Sequence, residues 1–314
     1  MGFFSASQNG VLVYTSGRTP GGNQLAWFNR AGKSLGAIGA PADISSLALS
    51  PDETRVAVSR RDLQAGRYEV WVRDLEHGSE SRFTFGGIGS GPVWSADGEH
   101  IFYASRPFDK IYRKAANNAG AEELVDVSAK LPADVSRDGR YLFTTTSGNT
   151  SKTGLDIWVL PLFGDRKPFP YVHTEFQEDQ PRLSPDGHWL AYRSNESKRS
   201  EVYVVSFPQP GEKWQISNSG GQSPVWSRNG RELYYYSTGA KIMAVEIKPA
   251  IPGSRQFKFG APKPLFDVRL ATTSDGSKFD VSRDGRFLLP ALEEREASTP
   301  MTVVLNWPEL LKKK

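Results

Sequence analysis

The sequence predicts an all-β chain folded as a seven-bladed β-propeller of four-stranded antiparallel blades, and three observations carry that prediction. One turn motif returns seven times. The copies stand about 45 residues apart. Each is followed by short runs of alternating apolar residues, with no helical periodicity of comparable strength between them.

The copies read "FSASQNGVLVYTS" (4–16), "LSPDETRVAVSR" (49–60), "WSADGEHIFYASR" (94–106), "VSRDGRYLFTTT" (135–146), "LSPDGHWLAYRS" (183–194), "WSRNGRELYYYS" (226–237) and "VSRDGRFLLPAL" (281–292). The turn-closing position falls at Gly10, Thr54, Gly98, Gly139, Gly187, Gly230 and Gly285, at intervals of 44, 44, 41, 48, 43 and 55 residues. In each copy an apolar residue and Ser end a first strand. An Asp-Gly or Asn-Gly pair follows, able to take the positive φ of a tight hairpin. The second strand alternates β-branched and aromatic residues, as in Trp189-Leu190-Ala191-Tyr192. Third strands are "QLAWFNR", "YEVWVRDL", "KIYRKAA", "LDIWVLPL", "EVYVVSF", "KIMAVEI" and "MTVVLNW". Shorter fourth strands are "SLGAIG", "SRFTF", "EELVDV", "RKPFPYV", "KWQIS" and "KPLFDV".

A lone four-stranded sheet cannot bury both faces, whereas blades packed around an axis bury both and leave only short edges. The expected blades are about 3–40, 41–86, 87–128, 129–173, 174–218, 219–268 and 269–314 of a single domain, 1–314. The seventh copy has no evident fourth strand after "MTVVLNWP", so six blades are the alternative if the N-terminal copy completes the last one. Only "WPELLKKK" has the look of a helical turn.

The "LSPDG", "WSADG" and "VSRDG" turns followed by aliphatic-aromatic strands resemble the WD40-like (TolB-type) propeller repeat along the whole chain. "FSASQNGVLVYTSG", "QLAWFNRAGKSLGAIG", "DIWVLPLFGDRKPFP" and "MTVVLNWPELLKK" resemble, more narrowly, the C-terminal propeller region of acidobacterial-type serine/threonine protein kinases. That resemblance implies the regulatory or binding part of a larger signalling enzyme, periplasmic or extracytoplasmic if attached to a membrane kinase. The kinase motifs themselves are missing: there is no His-Arg-Asp loop, no Asp-Phe-Gly and no Gly-rich phosphate loop.

Composition excludes several chemistries. With no Cys there are no disulfides, thiolate zinc sites or cysteine nucleophiles. The net charge of +4 arises from 39 basic and 35 acidic side chains without a basic stripe, which argues against a nucleic-acid partner. Lys312-Lys313-Lys314 reads as a solvated tail. The start lacks a basic n-region and no stretch has the apolar length of a bilayer span, so no membrane contact is expected of this segment, and it reads as a monomer. An export signal, if any, would lie upstream.

The Ser-x-Asp-Gly sets invite a catalytic or metal-binding reading, but a group repeated with variation in every copy fits a turn better. His77, His100, His173 and His188 show no metal-ligand spacing, and no cofactor or metal is expected. "AGKS" (31–34) fails as a phosphate loop because Trp27 stands where its first Gly belongs, and "FGGIGSGP" (85–92) reads as an interblade loop. Trp94 and Trp226 share the slot before the turn Ser and read as core.

A propeller of this register places the turns on one face and the interblade and second-strand loops on the other, where sequence varies most between copies. The candidate ligand-binding residues on that second face are Arg60, Arg106, Asp179, Gln180, Arg193, Gln222 and Lys278. Arg60, Arg106 and Arg193 stand at near-equivalent positions, an arc of guanidinium groups suited to a carboxylate or phosphate, or simply a solvated rim. The expected function is non-catalytic binding of a protein, peptide or cell-envelope ligand at the channel mouth. The alternative is a propeller hydrolase or lyase at the same mouth, which paired carboxylates or a His/Glu metal set at the axis would mark.

Overall fold

The computed structural model describes residues 4–7, 11–15, 23–62, 66–87, 89–105, 109–127, 130–146, 154–248, 256–270, 278–292 and 301–305. Gly10 and the "WPELLKKK" segment lie outside them.

Each repeat begins with its turn. Ser184 Oγ donates to Asp186 Oδ1 and accepts the Trp189 amide at 2.9 Å, while the Gly187 amide donates to Ser184 O at 2.9 Å. The same set recurs at Ser50, Ser95, Ser136, Ser227 and Ser282, with Asn229 replacing Asp in one copy at no loss of bonding. The structural reading of this motif follows: its polar atoms are consumed within the hairpin. Gly98, Gly139, Gly187, Gly230 and Gly285 hold φ between 69° and 81°, the left-handed region. In the second turn that position belongs to Glu53, not to the Thr54 expected from the repeat. Glu53 has φ 66° and its amide donates to Ser50 O at 2.9 Å. The expectation was one residue out of register because "PDET" offers no Gly to align on.

The turns join strands into antiparallel four-stranded sheets. Numbered around the axis, blade 1 comprises Asp280–Val281, Phe287–Leu292, Asn23–Phe28 and residues 34–42. Blade 2 comprises residues 43–49, Arg55–Arg61, Tyr68–Asp74 and Glu80–Arg82. Blade 3 is Ser90–Trp94, His100–Ala104, Ile111–Ala115 and Glu123–Asp126. Blade 4 is Lys130–Val135, Tyr141–Thr146, Ile157–Pro161 and Phe169–Val172. Blade 5 is Glu178–Leu183, Trp189–Ser194, Glu201–Ser206 and Lys213–Gln215. Blade 6 is Gly221–Trp226, Glu232–Ser237, Lys241–Glu246 and Lys263–Asp267. One long strand, Ser34–Leu49, leaves blade 1 as its outermost strand and enters blade 2 as its innermost.

Among the described residues the seven copies therefore make six four-stranded blades, not seven. The first and last copies interlock. Phe287–Leu292 of the last copy takes Asn23–Phe28 of the first as its partner, with Leu288 opposite Trp27. The leftover strands, Phe4–Ala6, Val11–Thr15 and Met301–Leu305, form a separate three-stranded sheet. The physical reason is closure: pairing the two ends of the chain in one sheet leaves no open edge at the seam. The first strands of the six blades touch one another in a complete circuit, from blade 1 through blade 6 and back.

Burial follows the same count. Six apolar clusters fill the six seams between blades, one each. The seam of blades 2 and 3, for example, packs Val70, Phe83, Trp94, Ile101 and Tyr103. The seam that closes the ring packs Tyr234, Phe266, Phe279 and Phe287. Among the described residues no helix is long and apolar enough to cross a membrane.

Candidate functional site

The first strands end, at the turn face, around an axial pocket of about 590 Å³. Two ring-shaped layers of equivalent positions line it. Two residues before the turn Ser stand Asp280, Ala48, Val93, Asp134, Arg182 and Val225, in blade order. One residue after the turn Ser stand Arg283, Pro51, Ala96, Arg137, Pro185 and Arg228. All six blades thus contribute at matched heights.

The deeper layer locks blade to blade. Asp134 accepts the amides of Val135 at 3.0 Å and of Leu183, in blade 5, at 2.7 Å. Asp280 does the same for Val281 at 2.8 Å and for Leu49, in blade 2, at 3.0 Å. Trp94 and Trp226 each donate an indole N–H, at 2.9 Å, to a main-chain oxygen of the preceding blade, Ala48 O and Arg182 O. The pattern has a period of three blades. The turns "VSRDG", "LSPDE", "WSADG" of blades 1–3 are matched by "VSRDG", "LSPDG", "WSRNG" of blades 4–6. The ring is therefore pseudo-two-fold about its axis, and Asp134 and Asp280 stand on opposite walls. Burial raises the Asp134 carboxyl above its usual range against the pull of Arg182 and two amides, with Asp280 adding to the rise.

Three charged residues break this symmetry at the pocket. Arg182 stands where its counterpart is Ala48, Arg228 where it is Ala96, and Glu53 where it is Gly187. Arg182 pairs with Asp134 at 3.5 Å. Glu53 Oε1 accepts the Arg283 amide at 2.8 Å and lies 3.5 Å from Arg228 Nε and 3.9 Å from Arg283 Nε. Arg137 reaches across the mouth to donate to Arg228 O at 2.7 Å, and makes no ion pair among the described residues. Burial, then Arg228 and Arg283, push its guanidinium below the ordinary value. The buried Nε and Nη2 of Arg228 have no hydrogen-bond partner. At the rim Arg137, Arg228 and Arg283 thus meet one glutamate, Glu53, with Asp134 and Asp280 in the layer below.

The residues expected from the sequence lie elsewhere. Asp179, Arg193 and Lys278 come together at the other end of the first strands. Arg193 grips Asp179 bidentately, with Nε 2.6 Å from Oδ1, and Lys278 is buried beside them, its ammonium pushed down by burial and then by Arg193. Gln180, at φ 55°, accepts the Ser223 amide at 2.7 Å next to the half-buried Gln222. Arg60 is not part of this group: it pairs with Glu80 at 2.7 Å and stacks on Trp71 at 4.7 Å. Arg106 lies outside the described residues. Arg137, Arg228 and Arg283 occupy the x of Ser-x-Asp-Gly, the position whose side chain takes no part in the turn's own hydrogen bonds and is therefore free to vary. Asp97, Glu99 and His100 bring ligand atoms within 4.8 Å of one another, yet Asp97 Oδ1 already accepts the Ser95 hydroxyl and the Glu99 amide.

A closed circle of four-stranded antiparallel sheets around an axial pocket defines a β-propeller domain, of the TolB-like kind that the turns resembled. The chain belongs to the family of prolyl oligopeptidase N-terminal β-propeller domains, whose model matches residues 35–215, more than half of its length. Among solved structures it is similar to a putative TolB from Agrobacterium tumefaciens, with a TM-score of 0.68 at 17% identity over 85% of this chain and 96% of that one. TolB from Acinetobacter baumannii gives 0.58 at 16% over 85% and 80%. The hydrazine synthase of Kuenenia stuttgartiensis gives 0.60 at 14% over 96% and 94%. No curated protein matches the chain in sequence. At such identities the likeness is one of fold.

Proposed function

We propose that this domain is a non-catalytic binding or sensor module that takes a protein or peptide segment into the axial pocket at the turn face. We also read it as the regulatory part of a larger bacterial signalling protein, such as a serine/threonine kinase, placed outside the cytoplasm. The observation that carries the binding reading is the pocket itself. Its volume is within the range of about 300–1,000 Å³ usual for ligand sites, and every blade supplies a residue to its mouth. The opposite end offers less, because Asp179 and Lys278 are buried there and Asp179 is already held by the half-buried Arg193. Asp134 and Asp280, facing each other across the axis, are the one feature that favours a hydrolase or lyase. Their oxygens are occupied by backbone amides, which suits clamping strands better than proton transfer.

Ala96→Trp tests the reading by filling the mouth while leaving every charge in place. An array of short peptides spanning negative to positive net charge is probed with both proteins. Peptides retained by the wild type and lost by Ala96→Trp, at equal thermal stability, are expected. Identical binding by the two proteins would reject the pocket as the site.

A further inference from the structure

The asymmetry of the mouth says more than its shape. Five of the six described turns put Gly in the left-handed position, and Glu53 is the exception. A side chain there is strained, and such strain persists where the side chain does something Gly cannot. What Glu53 does is visible: its carboxylate takes the Arg283 amide and lies closest to the otherwise unpartnered Nε of Arg228, a residue of blade 6 reached from blade 2. Three guanidinium groups converge there, crowded enough for Arg137 to feel the other two; Asp134 and Asp186 offset part of the charge at Arg137, and Glu53 is the carboxylate that reaches Arg228 and Arg283. The Arg228 N–H groups are left wanting an acceptor in a buried setting, where an unmade bond to a charged group is costly.

We propose that the Arg137–Arg228–Arg283 mouth is a carboxylate-recognition site, held by Glu53 as an internal stand-in that an acidic peptide segment displaces. The proposal rests on the pocket being the binding site. It adds the chemical class of the ligand and the group the ligand competes with. A carboxylate entering at Arg228 takes two charge-assisted hydrogen bonds at once, which Glu53, with its nearest oxygen at 3.5 Å, does not supply. The carboxylate arrives either as a side chain or as a chain terminus.

The test uses the full chain and labelled Asp/Gly peptides, read by fluorescence anisotropy at fixed ionic strength, against an Asn/Gly control of equal length. Glu53→Gly installs the residue of the sister turns, so it should fold, and it should tighten the acidic peptide about tenfold. Arg228→Ala and Arg137→Ala should each weaken it by about tenfold or more, the worth of one charge-assisted hydrogen bond. The Asn/Gly control should not bind. Amidating the peptide C-terminus separates the sources: loss of binding assigns a chain terminus, and retention assigns the side chains. Unchanged or weaker binding by Glu53→Gly would overturn the stand-in, and a phosphoserine peptide that outcompetes the Asp peptide would overturn the carboxylate. If neutral peptides bind, are lost on Ala96→Trp and ignore Glu53→Gly, only this inference fails. If Ala96→Trp changes nothing, the pocket reading fails with it.

Discussion

Arg193 and Arg60 look alike in the sequence, each at the end of a second strand, yet their surroundings give them different energetics. Arg193 neutralises Asp179, which is 5% exposed, and Lys278 lies close by. Arg193→Ala removes two charge-assisted hydrogen bonds from a buried carboxylate and leaves it to Lys278 alone, so it should cost about 1.5–3 kcal/mol in urea unfolding. Arg60 pairs with a partly exposed Glu80, and Arg60→Ala should cost about 1 kcal/mol or less. Equal losses would show that the Asp179 cluster is solvated in practice. The sequence displayed the candidate side chains but not their partners. Asp179 and Arg193 are opposite each other in register across two strands, whereas Lys278 arrives from the far end of the chain. Arg137, Arg228 and Arg283 were equally visible, and only the circle of blades shows that positions 91 and 146 residues from Arg137 meet at one mouth.

The hairpin is the unit that the sequence expressed most fully, because its chemistry is local. Asp97 is held below the usual carboxylate range by the Ser95 hydroxyl first and the Glu99 amide next. For Asp52, Asp138 and Asp284 burial is the largest single influence and pushes upward, but the serine hydroxyl and neighbouring groups together outweigh it. A carboxyl whose folded value lies below its unfolded one stabilises the fold above the unfolded value, and that gain is lost as pH falls through the folded one. Stability should therefore hold from neutrality down to about pH 4, the unfolded Asp value, and fall below it. Asp97→Asn should fold, since Asn229 already fills that place in blade 6, and should make the acid limb shallower. An acid limb unchanged by Asp97→Asn would show that the turns do not set it. The one local error, Thr54 for Glu53, arose where the motif lost its Gly.

Across the whole molecule, closure depends on the first copy lending its third and fourth strands to the last. Asn23–Phe28 is a central strand of blade 1, hydrogen-bonded on both sides, and Ala26 within it is buried. Ala26→Pro should remove ladder bonds at the seam and cost about 3 kcal/mol or more, with loss of a single cooperative unfolding transition. Val13→Pro, in the three-stranded sheet that pairs Val13 with Val303, should leave the main transition of the ring in place. Comparable damage from both would place the three-stranded sheet within the cooperative unit of the ring.

The sequence by itself determined the strands, the turns, their spacing and the propeller, because period-two burial and left-handed turn positions are properties of a few adjacent residues. Tertiary structure decided how many blades close the ring. "QLAWF" and "MTVVL" are equally good partners for Phe287–Leu292 by pattern, and the choice between them depends on joining the two ends of the chain. It also decided the face that carries the pocket. Charges become a site only when the radius of the ring brings them within a few ångströms of one another, a distance set by six packed seams and written in no single repeat.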